Sequence, residues 1–228
     1  MRILICEDSV LLREGIVRLL EHSGHEVVAA LPDTTALDEA VAETRPELCI
    51  LDVRLPPTFT DEGIRAALAL RQAHPALPLL VLSQYVEEQY ASELISTGGA
   101  PGQTGSTGGI GYLLKDRVAD VSDFVEALER VAAGATVLDP EVVSQLLTRR
   151  RQDERMQRLS DRERAVLASL AEGRSNQAIA ALLHLSPTTV EKHITSIFQK
   201  LGLEQDESGN RRVLAALAHI ENTSGTKQ

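Results

Sequence analysis

The sequence predicts an α/β domain, a five-stranded doubly wound parallel sheet, followed by a smaller all-α domain of four helices. Three observations carry that prediction. Five short apolar runs occur within residues 1–133 of a 228-residue chain. Amphipathic stretches with apolar residues at 3–4 spacing separate them, the alternation expected of βαβ units. From residue 158 onward only the helical period remains. At roughly 100–200 residues per domain, the length suits one large or two small domains.

The apolar runs are RILIC (2–6), EVVAA (26–30), ELCILDV (47–53), LPLLVLS (77–83) and IGYLL (110–114). Runs this short, bounded by polar or turn residues, suit strands buried on both faces of a parallel sheet. Helical patterns fill 9–22, 33–44, 61–73, 87–96 and 120–133. A glycine-rich segment near 97–110 interrupts the last repeat; seven of the fifteen glycines lie between Gly98 and Gly111. It lacks a G-x-G-x-x-G or G-K-[ST] pattern, so it reads as an inserted surface loop and not as a phosphate cradle. Residues 134–157 read as a linker with a short helix starting at Pro140 and a solvated charged run, Arg149–Arg151 included.

Residues 158–222 form the helical domain, and 223–228 a tail. Ser160-x-x-Glu163 is a capping box opening the first helix, which Gly173 stops. A second helix covers 175–185. Ser186-Pro187 pairs a favoured N-cap with a favoured first helical residue and opens a third, ending at Gly202. Residues 211–220 make the fourth. A short helix, a tight turn and a longer amphipathic helix is the helix-turn-helix pattern.

Composition excludes several classes. Cys6 and Cys49 sit in apolar runs, which predicts buried thiols in a reducing, cytoplasmic setting and no disulfide framework. No apolar run approaches the roughly 20 residues of a membrane span, and acid at Glu7 comes too early for a signal peptide. The six histidines show no metal-ligand spacing. With no Trp, three Tyr and three Phe, stacking on single strands has few platforms. The net charge of -10 argues at first against nucleic acid. It divides unevenly, however: residues 1–120 carry -9 and residues 154–228 carry +1.

Chemistry concentrates at the predicted strand ends. Glu7 and Asp8 follow strand 1, Asp52 ends strand 3, Ser83 ends strand 4 and Lys115 follows strand 5. The carboxyl ends of parallel strands share one edge, where such sheets bind ligands. Three clustered carboxylates repel, and Mg²⁺ relieves that repulsion with oxygen ligands. A hydroxyl and an ammonium at the same edge suit a phosphoryl group on Asp52, a residue type that forms aspartyl-phosphates.

These residues, in the runs CED (6–8), ILDVRLPP (50–57), VLSQY (81–85) and GYLLKD (111–116), resemble a bacterial response-regulator receiver domain of flavodoxin-like fold over residues 1–133. The resemblance implies that Asp52 is the phosphoacceptor of a sensor histidine kinase. It implies Mg²⁺ on Glu7, Asp8, Asp52 and the backbone carbonyl of Arg54. Ser83 and Tyr112 would be the switch pair and Lys115 the phosphoryl contact. Residues 158–202 resemble the LuxR-type helix-turn-helix of NarL/FixJ-family regulators, with Leu159, Glu163, Val166, Gly173, Ile179, Val190, Ile197 and Leu201 at the family's positions.

On the third helix of that domain, Val190, Ile194, Ile197 and Leu201 recur at core spacing. Glu191, Lys192 and Thr195 are the base-edge candidates, because the start of the second helix of the motif enters the major groove. Thr188, Thr189 and Lys200 are the phosphate candidates. The combined expectation is a phosphorylation-controlled transcription factor. Its partners are a sensor histidine kinase, double-stranded promoter DNA, a second copy of itself when phosphorylated, and RNA polymerase. Its only catalysis would be slow self-hydrolysis of the aspartyl-phosphate. An Asp-nucleophile phosphatase is disfavoured because Arg54 occupies the slot of the general acid. The alternative reading is a DNA-binding regulator whose receiver serves as a phosphorylation-independent docking module for a ligand or protein.

Overall fold

The computed structural model describes residues 1–97, 108–203 and 210–224, so the expected glycine-rich loop lies mostly outside the described residues. The chain divides into two compact units, Met1–Leu146 and Leu147–Gln228.

The first unit alternates β1 (Arg2–Cys6), α1 (Val10–His22), β2 (Glu26–Leu31), α2 (Leu37–Thr44), β3 (Leu48–Asp52), α3 (Glu62–Ala73), β4 (Leu79–Ser83), α4 (Glu88–Thr97), β5 (Ile110–Leu114), a 3₁₀ turn (Lys115–Ala119) and α5 (Val121–Ala132). A further strand, β6 (Thr136–Leu138), precedes α6 (Pro140–Gln157). All strands are parallel, in the order β2-β1-β3-β4-β5-β6.

Strand alternation builds two cores. Leu4, Cys6, Cys49, Leu51, Val81 and Tyr112 face one side, packed with Val41, Ile64, Leu70 and Leu94 of α2, α3 and α4. Ile3, Ile5, Leu48, Ile50, Leu80 and Leu82 face the other, packed with Ile16 and Leu20 of α1 and Phe124, Leu128 and Val131 of α5. Successive side chains of a strand point to opposite faces, so a strand covered on both sides is apolar throughout.

Among the described residues the sheet has six strands where the sequence predicts five. Thr136, Val137 and Leu138 pair with Ile110, Gly111 and Tyr112. A three-residue strand is too short for its period to register in sequence, and it fell within the expected linker. That stretch differs in a second way. The helix from Pro140 is not short: it runs 18 residues, through the charged run that was expected to be a solvated linker. Arg, Gln, Glu and Met are good helix formers, and Arg150 pairs with Glu154 one turn on, at 3.4 Å. The helix supplies Val142 to the first unit's core and Met156 to the second's.

The second unit holds α7 (Asp161–Ala171), α8 (Asn176–Leu183), α9 (Pro187–Leu201) and α10 (Arg211–Ser224). Ser160, Ser175 and Ser186 each cap the following helix by accepting a backbone N–H, and Ser160 and Glu163 complete the capping box. Left-handed Gly173 and Gly202 (φ +79° and +69°) follow α7 and α9, as the sequence suggests; His184 plays this part after α8. Leu159, Val166, Leu167, Ile179, Val190, Ile194, Ile197 and Leu201 form the core.

Gly63 in the first turn of α3 fixes how that helix meets the sheet. Its N–H donates to the Val53 carbonyl at 3.0 Å, and an added Cβ would overlap the carbonyl oxygen of Asp52. Gly63→Ala is expected to destabilise the first unit by about 1–3 kcal/mol through overpacking, read as a lowered urea midpoint. An unchanged midpoint would show that α3 can slide without cost.

Candidate functional site

The first candidate site lies at the carboxyl edge of the sheet. Because β1, β3, β4 and β5 are consecutive neighbours in one parallel sheet, their ends bring Glu7, Asp8, Asp52, Ser83 and Lys115 to the same rim. One carboxylate oxygen each from Glu7, Asp8 and Asp52 lies within 4.8 Å of the others. Glu7 and Asp52 are buried, Asp8 half-buried. The Lys115 Nζ stands 2.8 Å from Asp52 Oδ2 and 2.8 Å from Glu7 Oε2. It donates hydrogen bonds to Asp52 Oδ2 and, at 3.1 Å, to Glu7 Oε1.

Charge balance at this rim is incomplete. Burial pushes the Glu7 and Asp52 carboxyls above their ordinary values, against the Lys115 hydrogen bonds that pull them down. Burial also pulls the Lys115 ammonium down, but its bonds to Asp52 and Glu7 outweigh that and leave it raised. One lysine faces three carboxylates. Glu7 Oε2, though close to Nζ, has no hydrogen-bond partner of acceptable geometry and is buried. An oxygen-only donor set with surplus negative charge and an orphaned buried carboxylate oxygen fits a hard divalent cation such as Mg²⁺.

Around this core, Ser83 Oγ donates to the Tyr85 carbonyl at 2.6 Å and so is turned toward its own loop. Tyr112 is fully buried, its ring in the core. Burial raises its phenol, and no well-formed hydrogen bond reaches its hydroxyl, although Ser83 and the Glu87 backbone lie near it. Arg54 meets Asp52 through its N–H, which donates to Oδ1 at 3.3 Å. Two contributors escaped the sequence reading. Arg13 donates to the Glu7 and Asp8 carbonyls at 2.6 and 3.3 Å, pinning the acidic loop from α1. The Arg54 side chain pairs with Glu87 at 2.9 Å. A contact across 33 residues leaves no local pattern, and helix-end electrostatics disfavour a cation such as Arg13 in the first turn of α1.

Comparison with known proteins resolves what this edge belongs to. Residues 3–101 match the response regulator receiver domain, and residues 157–209 match the bacterial regulatory proteins of the luxR family. The transcriptional regulatory protein DegU of Brevibacillus brevis is 30% identical, over 97% of this chain and 93% of its own. The chain is a LuxR-family two-component response regulator. The probable transcriptional regulatory protein NarL of Mycobacterium tuberculosis (strain ATCC 25618 / H37Rv) is 33% identical, over 89% of the regulator and 88% of the relative. The regulator is also similar to the solved structure of two RcsB dimers bound to two parallel DNAs, at 25% identity, TM-score 0.53, and coverage of 97% of this chain and 98% of that one. Among the described residues no helix is long and apolar enough to cross a membrane.

The second candidate site is the outer face of α9 in the LuxR-type unit. Thr188, Glu191, Lys192 and Thr195 are exposed along one side, and Thr189 is half-buried. Gln199, one turn past Thr195, extends the same exposed row, an i+4 spacing that is legible in the sequence. Thr189 shares its hydroxyl with Ser186 at 2.8 Å, and Thr195 donates to the Glu191 carbonyl. Lys200 departs from the expected phosphate role. Its ammonium donates to both Glu163 oxygens, at 2.9 and 2.7 Å, because the capping-box carboxylate of α7 is buried against α9.

That pair has a pH signature. Burial alone would raise Glu163, but bonds from Lys200, Ser196 and Ser160 dominate and hold it at about 2, against 4.5 unperturbed. A carboxylate depressed on folding contributes stability that is complete above its unfolded value and is lost as pH falls toward the folded one. Wild-type α7 and α9 should therefore exceed Glu163→Gln in amide-exchange protection near neutral pH. The gap should close between about pH 4.5 and 2. A constant gap would show that the carboxylate's charge is not what stabilises the unit.

Proposed function

We propose that the regulator is switched by phosphorylation of Asp52 and then binds promoter DNA as a dimer through α9. The observation that carries this reading is Lys115 bridging Asp52 and Glu7 at the carboxyl edge of the sheet. An Asp52 oxygen attacks the phosphorus of a phosphohistidine on a sensor kinase, the P–N bond breaks, and the imidazole, already protonated on its other ring nitrogen, leaves as the neutral base. Lys115 orients the nucleophile beforehand and pairs with the phosphoryl oxygens afterward. Glu7, Asp8, Asp52 and the Arg54 carbonyl would hold Mg²⁺, which supplies neutralisation of the phosphoryl charge. Ser83 must leave the Tyr85 carbonyl to reach the new dianion, and Tyr112 occupies the inward position beside it. Hydrolysis of the acyl phosphate by water would reset the switch without making the protein a metabolic enzyme.

On the DNA side, Glu191, Lys192 and Thr195 would meet base edges, with Thr188 and Thr189 on phosphates. A segment of net charge +1 grips a polyanion weakly as a monomer. Pairing two copies doubles the phosphate contacts, which gives phosphorylation a route to affinity. The RcsB dimers on DNA support that arrangement. A transcription factor of this kind works in the cytoplasm beside RNA polymerase, with a sensor histidine kinase as its donor.

Incubation with a small phosphodonor and Mg²⁺ should raise the intact mass by one phosphoryl group, and Asp52→Asn should abolish the gain. A gain that persists in Asp52→Asn would overturn the assignment. For DNA, Lys192→Ala should cost about 1–3 kcal/mol on a specific site selected from genomic fragments, and much less on random duplex. Equal losses on both would place Lys192 on phosphate.

A further inference from the structure

Two loops flank Asp52 at the sheet edge. The one after β3 carries Arg54; the one after β4 carries Ser83, Tyr85 and Glu87. The Arg54 side chain spans them. Its Nε donates to Glu87 Oε1 at 2.9 Å, and its guanidinium carbon lies 5.6 Å from the centre of the Tyr85 ring. The backbone N–H of the same residue meets Asp52 Oδ1. Arg54 thus touches the phosphoacceptor on one side and straps the β4–α4 loop on the other.

The strapped loop is the one that withholds Ser83. With Tyr85 held under the guanidinium, its carbonyl accepts the Ser83 hydroxyl at 2.6 Å. Behind the loop, the buried Tyr112 hydroxyl has no hydrogen-bond partner, although the Glu87 backbone lies near it. The strap therefore holds the loop whose Tyr85 carbonyl occupies the Ser83 hydroxyl.

Glu87 offers the guanidinium a single negative charge. A phosphoryl group on Asp52 offers nearly two, with three strong acceptor oxygens. Guanidinium geometry matches phosphate in bidentate fashion. Arg54 is half-exposed, so its side chain can reorient without opening the core. A stronger anion two residues away would compete directly with Glu87 for the same fork.

We propose that the Arg54 side chain is a phosphoryl ligand held in reserve by Glu87. Its transfer to the anion on Asp52 releases the β4–α4 loop and lets Ser83 turn. The inference rests on Asp52 being the phosphoacceptor. Arg54 touches the phosphoryl group; Glu87 is a positioning residue that acts only through Arg54.

Beryllofluoride, a stable mimic of the phosphoryl group on a carboxylate, provides the test on the full chain with Mg²⁺ present. Affinity is read from the amide NMR shifts of Ser83 and Glu87. Glu87→Gln removes the competitor and should tighten binding roughly two- to fivefold, the span of a partly exposed ion pair. Arg54→Ala should loosen binding, and Arg54→Lys should recover part of the loss. In the Arg54→Ala background, Glu87→Gln should have no effect. Unchanged or weaker binding by Glu87→Gln, or an effect that persists without Arg54, would overturn the inference while leaving the phosphoacceptor reading intact. Failure of the wild-type chain to bind beryllofluoride at all would overturn both.

Discussion

The ion pair of Lys115 with Asp52 and Glu7 is the constraint on which the rest of the receiver depends. Two buried carboxylates cannot share a low-dielectric rim without compensation, and one ammonium compensates only part of the charge. The sheet exists in a form that makes this pairing possible. Four neighbouring parallel strands end at one edge, and β5 delivers Lys115 directly after its last residue. Gly63 lets α3 start against the Asp52 backbone, and Arg13 holds the acidic loop from the opposite side. The residual negative charge leaves an oxygen-rich rim that could hold a divalent cation.

The same logic appears in the second unit with the opposite sense. There the buried carboxylate, Glu163, accepts from Lys200, from the Ser196 hydroxyl and from the Ser160 backbone N–H. Its charge is structural: it ties α7 to α9. The opposite face of α9, with Glu191, Lys192 and Thr195, is exposed. In the receiver, Glu7 Oε2 is buried beside Asp52 without a hydrogen bond; in the second unit, Glu163 is satisfied and holds the scaffold.

Much of this was legible in the sequence because it is written in local periods. The five longer strands, the flanking helices, the Ser160 and Ser186 caps and the edge positions of Glu7, Asp8, Asp52, Ser83 and Lys115 all follow from spacing and strand ends. What was not legible depends on long-range contact. The strand Thr136–Leu138 is defined by its pairing with β5 and is too short to announce itself. The continuation of α6 through the arginines is the exception, since it follows from local propensity and i,i+4 pairing where charge alone suggested a solvated linker. Lys200 looked available for phosphate because its partner, Glu163, sits 37 residues away. The Arg54–Glu87 strap was hidden for the same reason.

The central claim is that Asp52, held by Lys115, receives the phosphoryl group. Reductive trapping tests it most directly. Borohydride converts an aspartyl-phosphate to homoserine, which peptide mass mapping then locates in the chain. After treatment with a phosphodonor and Mg²⁺, homoserine should appear at position 52 and at no other aspartate. Homoserine at Asp8 or elsewhere, with Asp52 unmodified, would contradict the account.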